Sequence, residues 1–152
     1  MKARYLVPAL AVCGAAAALV GCGGGSDETT VKVIEHAETD TVRHIGPKSE
    51  EDSVGDVLAF ANPVFDSENK KQVGTDNGQC IRTVAGKAWE CIWTVRLSGG
   101  QVTVEGSFEE GKDTEFAITG GTDEYRDASG QMTLHARNEE ETEYEFTYEI
   151  DK

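Results

Sequence analysis

Helical periodicity is almost absent from this sequence, and so are the side chains that build metal and nucleic-acid sites. It has three histidines, and His36, His44 and His135 neither cluster nor fall at zinc-ligand spacing with a cysteine, so no metal site is expected. Basic residues are scarce: 14 Lys and Arg stand against 28 Asp and Glu, for a net charge of -14. That balance excludes nucleic acid and electrostatic adhesion to anionic lipid, and reads first as solubility. There is no G-x-S-x-G elbow, phosphate loop or H-E-x-x-H, and DSENKKQVG lacks the central glycine and final glutamate of a calcium loop. The EEETEYE run is a charged outer face, because its acids alternate with Tyr144 and Phe146. No cofactor is expected.

What is present begins with an address. MKAR supplies positive charge, Tyr5 to Val20 is apolar, and Leu19-Val20-Gly21-Cys22 follows. The stretch is shorter than the about 20 residues of a spanning helix and reads as a secretory signal over residues 1–21. LVGC resembles a bacterial lipobox, which implies cleavage before Cys22, lipid attachment to it and a flexible tether over residues 22–30. A single domain over residues 31–152 would then lie outside the cytoplasm, held to the membrane by lipid. Cys13 leaves with the signal, so Cys80 and Cys91 are the thiols of the mature domain, in an oxidising compartment.

Apolar and polar residues alternate through the rest of the chain, with glycines between the runs. Trp89, Cys91, Trp93, Val95 and Leu97 share one strand face. A Gly99-Gly100 turn would pair Leu97 with Val102, Val95 with Val104 and Cys91 with Phe108. Adding Leu58 to Val64, Phe116 to Ile118, Met132 to Ala136, Tyr144 to Ile150, Thr30 to Glu35 and Gln79 to Val84 predicts an all-β chain, a single eight-stranded antiparallel barrel. With Ala85-Gly86 as a turn, Val84 faces Lys87, Arg82 faces Trp89 and Cys80 faces Cys91. Opposed positions of that kind favour a disulfide over free thiols, and metal least.

The runs GDVLAFANPVFDSENKKQVGTDNGQC, WECIWTVRLSGGQVTVEGSF and FAITGGTDEYRDASGQMTL resemble, in order and spacing, the allene oxide cyclase and dirigent superfamily. The resemblance covers Val31 to Ile150. It implies an eight-stranded barrel with an axial apolar pocket, trimeric in plant members. It also implies that Asn62 matches the asparagine that holds a water in the plant cyclases, and that Cys80 matches their pocket cysteine. The family's catalytic glutamate has Glu35 as its best counterpart, placed inward by alternation with Val31 and Val33, although the ungapped match falls on Lys32. A salt bridge to Arg82 is the bland alternative for Glu35. Asp123 stands where the family usually has glycine.

The expected pocket is formed by Phe60, Asn62, Cys80, Trp93, Phe116 and Phe146, with Glu35 and Asn62 as the candidate catalytic pair. Three functions are open on this reading: a barrel binding or orienting a small apolar ligand without catalysis, an isomerase or cyclase acting on an epoxide or polyketide-like substrate, and a barrel filled by its own aromatic side chains.

Overall fold

Each alternating run forms a strand in the computed structural model, which describes residues 28–46 and 52–151. The signal, Cys22 and most of the expected tether lie outside the described residues. The strands are β1 (Glu28–His36), β2 (Thr41–Arg43), β3 (Val57–Phe65), β4 (Gln72–Val84), β5 (Ala88–Leu97), β6 (Gly100–Glu109), β7 (Thr114–Gly121), β8 (Ser129–Ala136) and β9 (Glu143–Asp151). They pair in the order β1-β9-β8-β7-β6-β5-β4-β3-β2, and a β1–β3 pairing closes the sheet. The expected eight-stranded antiparallel barrel is therefore present, with β2 as one extra strand. Glu28, Thr29 and Thr30 already pair with Asp151, Ile150 and Glu149, so the fold begins inside the stretch expected to be tether.

Closure is made in two parts along the edge of β3. β1 meets its far end through Ile34↔Phe65 and Glu35↔Val64, while β2 meets its near end through Thr41↔Ala59, Val42↔Leu58 and Arg43↔Val57. Between them the Ala61 N–H is unpaired by either strand and is donated instead to Thr39 Oγ1, at 2.7 Å. A side chain thus bridges the gap in the ladder, as a backbone donor withdrawn from water requires.

The β4–β5 hairpin carries the expected register from Arg82↔Trp89 to Cys80↔Cys91, and the two cysteines are disulfide-bonded. Beyond Arg82 the ladder is irregular, and Val84 pairs with Ala88 rather than Lys87. The β5–β6 hairpin differs from expectation by two residues: Leu97 pairs with Gly100, Val95 with Val102 and Cys91 with Gly106, so Ser98-Gly99 is the turn. A slip of two keeps every side chain on its face, which is why the inward set was read correctly from an incorrect turn.

Inward residues of all layers make one core that includes Val95, Val104, Phe116, Met132, Phe146 and Tyr148. Each such side chain contributes about 1.5–3 kcal/mol by leaving water. Polar clamps stand at one barrel end. Asp56 accepts from the N–H groups of Ile45 and Ser53 and lies 2.7 Å from His44 Nδ1, which fixes the link between β2 and β3. The Arg82–Glu35 ion pair weighed as the bland alternative does not form: Arg82 lies over the Trp89 ring and pairs with Asp52 at 2.6 Å and Glu110 at 2.8 Å. Those acids come from the segments that reach the Arg82 end of β4, where alternation along a strand carries no information about partners.

Candidate functional site

Glu35 from β1, Asn62 from β3 and Asp76 from β4 point inward and are buried. Asn62 and Asp76 are opposed across the β3–β4 ladder, and Glu35 is two residues from Asn62 along the seam through its pairing with Val64. Asn62 uses its whole amide. Its Nδ2 donates to Glu35 Oε1 at 2.5 Å and to Asp40 Oδ1 at 2.7 Å, and its Oδ1 accepts from the N–H and the hydroxyl of Thr39 at 2.8 and 2.9 Å. The candidate catalytic pair is in contact, but Asn62 has no capacity left for a bound water. It is the clamp that ties the Thr39-Asp40 link and Glu35 into the barrel wall.

Beside this clamp lies a cavity of ≈ 60 Å³. Phe60, Trp93, Phe108, Tyr144 and Phe146 supply rings, Leu58 and Leu134 aliphatic surface, and the Cys80–Cys91 disulfide a further wall. Glu35 and Asp40 are its carboxyl groups. Trp93 is held by its neighbours: Phe116 meets it at 4.5 Å between ring centroids, Phe146 at 5.7 Å and Phe60 at 6.2 Å. The Phe60–Trp93 contact crosses Gly78, where a Cβ would fall 2.3 Å from Trp93 Cβ and 2.7 Å from Phe60 Cζ. Glycine is needed there so that two large rings can meet over β4.

Of the expected pocket residues, Phe60, Cys80, Trp93 and Phe146 line the cavity. Phe116 does not; it is buried behind Trp93 as its support. Asn62 likewise stands behind Glu35. Asp76, Asp40 and Thr39 are site residues that the expected strands do not include. Counting back from Cys80 in steps of two gives Gly78, Asp76 and Gly74, so the inward acid was readable once β4 is allowed to start at Gln72. Nothing local marks Thr39 and Asp40, whose roles depend on the seam. Asp123, in place of the family's glycine, adopts φ 55° at the start of a 3-10 turn, a left-handed conformation that aspartate tolerates better than most residues.

Burial, then the neighbouring Asp76, pushes the Glu35 carboxyl up to about 9, against the opposing Asn62 hydrogen bond. Burial likewise raises Asp76 to about 8. Glu35 Oε2 has no hydrogen-bond partner among the described residues, whereas the backbone N–H of Asn62 acts on the Asp76 carboxyl and opposes its rise. Asp56 goes the other way, held at about 2 chiefly by the Ile45 N–H. Unfolding frees Glu35 and Asp76 to ionise near 4.5 and 3.8, so above those values the folded chain retains protons the unfolded chain has lost. Stability contributed by their neutral burial is then lost as pH rises toward 8 to 9. The Asp56 contribution is present above 3.8 and lost as pH falls through about 2. Melting temperature is expected to peak near pH 4–5 and to decline toward pH 8, with a shallower decline in Glu35→Gln and Asp76→Asn. A flat or rising profile from pH 5 to 8 in calorimetric scans contradicts this.

A family model described as allene oxide cyclase matches residues 27–138. Among solved structures, a pyocyanin demethylase is 24% identical with a TM-score of 0.66, over 78% of this chain and 98% of its own. A pterocarpan synthase dirigent protein is 18% identical with a TM-score of 0.69, over 83% and 95%. A Diels-Alderase from Streptomyces koyangensis is 13% identical with a TM-score of 0.65, over 86% and 70%. These three likenesses are of fold.

Proposed function

The chain belongs to the allene oxide cyclase family, and from that premise we propose that its barrel binds one small, ring-bearing apolar molecule and holds it in a single orientation. The observation that carries this reading is the cavity beside Trp93, apolar along its walls and ending on a Glu35 oxygen with no hydrogen-bond partner among the described residues. Its ≈ 60 Å³ corresponds to about four to six water positions, room for one ring. Drug-sized ligands occupy about 300–1,000 Å³, so a long-chain molecule could place only one end inside. Aromatic side chains occupy the core around it and leave this space.

Native mass spectrometry of protein isolated from its own host tests the proposal. A small molecule bound one to one, and displaced in Leu58→Trp, is the expected result. Unliganded protein that also fails to take up an apolar fluorophore overturns it and favours the filled barrel.

A second reading, an isomerase or cyclase, draws on the same Glu35: a carboxyl held protonated at neutral pH inside an apolar cavity is equipped as a general acid. Turnover of an epoxide substrate that disappears in Glu35→Gln supports it, and turnover that survives the substitution removes Glu35 from that role.

Export and lipid attachment at Cys22 are proposed on the LVGC motif. Label from a fatty-acid analogue is expected in the intact protein and absent from Cys22→Ser. Trimerisation is proposed on the habit of plant members and on the exposed Ile81, Val84 and Ile92; a monomeric mass by light scattering overturns it.

A further inference from the structure

The sign of charge around the cavity narrows what it takes. Among the described residues its ionisable lining groups are Glu35, Asp40 and Tyr144, and no lysine, arginine or histidine lines it. The groups that act on Glu35 from the surrounding elements are Asn62 of β3, Asp76 of β4, Asp40 of the β1–β2 link, and Tyr144 and Tyr148 of β9. None of them is basic. Arg82, buried nearby in sequence to Cys80, is committed to Asp52 and Glu110. An anionic head, such as that of a fatty acid, would meet carboxyl groups and no counter-ion among the described residues.

Glu35 Oε2, buried and facing the cavity, has no hydrogen-bond partner among the described residues. Buried acceptors without donors are costly and few in folded proteins. Glu35 is 4% exposed and faces the cavity, whereas Asp76 is 0% exposed and lies behind it. Trp93, Phe146 and Tyr144 present rings to the same space, and aromatic faces attract a cation through their quadrupoles, most strongly where water is excluded. A strongly acidic chain also raises the local concentration of cations.

We propose that the molecule held in this cavity is a small organic monocation, its ring packed against Trp93 and Phe146 and its positive charge set against Glu35 and Asp40. The inference rests on the binding reading above and not on acid catalysis, because the cation is held by an ionised Glu35. In the empty site Glu35 carries a proton; when the cation enters, that proton leaves for bulk water and the net charge inside the barrel is unchanged. Binding therefore strengthens with pH while Glu35 remains protonated in the empty protein.

Titration calorimetry with three single-ring probes tests this: N-methylpyridinium, whose charge is fixed, its neutral isostere toluene, and benzoate. Measurements at pH 6, 7 and 8, in buffers of different ionisation heat, count protons released. N-methylpyridinium is expected to bind at least tenfold more tightly than toluene, to release about one proton, and to tighten by about tenfold per pH unit, while benzoate fails to bind. Glu35→Gln should abolish the proton release, and Asp40→Asn at the exposed rim should weaken N-methylpyridinium but not toluene. Toluene binding as tightly as the cation, or cation binding without proton release, overturns the monocation and leaves the binding reading standing. Failure of all three probes overturns both.

Discussion

Reducing the Cys80–Cys91 disulfide is expected to lower the free energy of unfolding by about 2–3 kcal/mol. The two cysteines are separated by 11 residues, and a bridge closing a loop of that order restrains the unfolded chain by about that amount. Cys80→Ala with Cys91→Ala should cost more than reduction, because both sulfurs are buried in the core and their removal leaves unfilled space. The same double substitution widens the cavity, since both residues line it, so larger rings should bind to the variant than to the parent. Urea unfolding with and without reductant measures the first effect; coincident midpoints contradict it. A cysteine tied to its neighbour is a fixed wall, and does not steer a substrate as a mobile side chain does.

Asn62→Ala is expected to destabilise the protein by about 3–5 kcal/mol, the largest single-residue effect foreseen here. Four hydrogen bonds meet on that amide, and its loss strands the buried Glu35 carboxyl and releases the part-buried donors of Thr39. Each buried polar group left without a partner costs about 1–3 kcal/mol. Damage should spread along the seam, because Thr39 also receives the Ala61 N–H. Hydrogen exchange at Thr39 and Ala61 should accelerate well before exchange in β5 and β6. Asn62→Asp keeps the acceptors for Thr39 but cannot donate to Glu35 or Asp40, and it adds a third carboxyl beside them. It should lose stability most steeply as pH rises. An Asn62→Ala variant as stable as the parent contradicts the clamp.

The architecture was readable from alternation because burial imposes a period of two on every strand. Faces follow from that period; turns do not. The Leu97–Gly100 hairpin shows the difference, since the true register and the one centred on Gly99-Gly100 put the same residues inside. β4 was read short because Gly74, Asp76, Asn77 and Gly78 look like a loop. Two of these glycines are there for room: a Cβ on Gly74 would lie 2.0 Å from the Arg96 carbonyl, and one on Gly78 would strike Trp93. Asp76 was hidden by the same composition. β2 was missed because three exposed residues carry no pattern.

The site was partly legible for a related reason. Glu35 and Asn62 are polar residues at inward positions, which makes them conspicuous. Their contact was not, because it depends on how β1 and β3 close the barrel across 27 residues of sequence. Asp40 and Thr39 belong to the short link that turns from one half of the seam to the other. The partners of Arg82 escaped notice on similar grounds: Asp52 and Glu110 lie outside the strands, one ahead of β3 and the other after β6.

The central claim, that the barrel keeps an occupiable cavity beside Trp93, is open to one direct measurement. The chain has two tryptophans, so the indole N–H region of a nitrogen-15 spectrum holds one signal from the cavity wall and one from Trp89, whose N–H is donated to Glu110 at 2.8 Å away from that wall. Titration with toluene and with N-methylpyridinium is predicted to shift the Trp93 signal saturably with at least one probe while Trp89 stays in place. A Trp93 signal that both probes leave unmoved to their solubility limits would contradict the account.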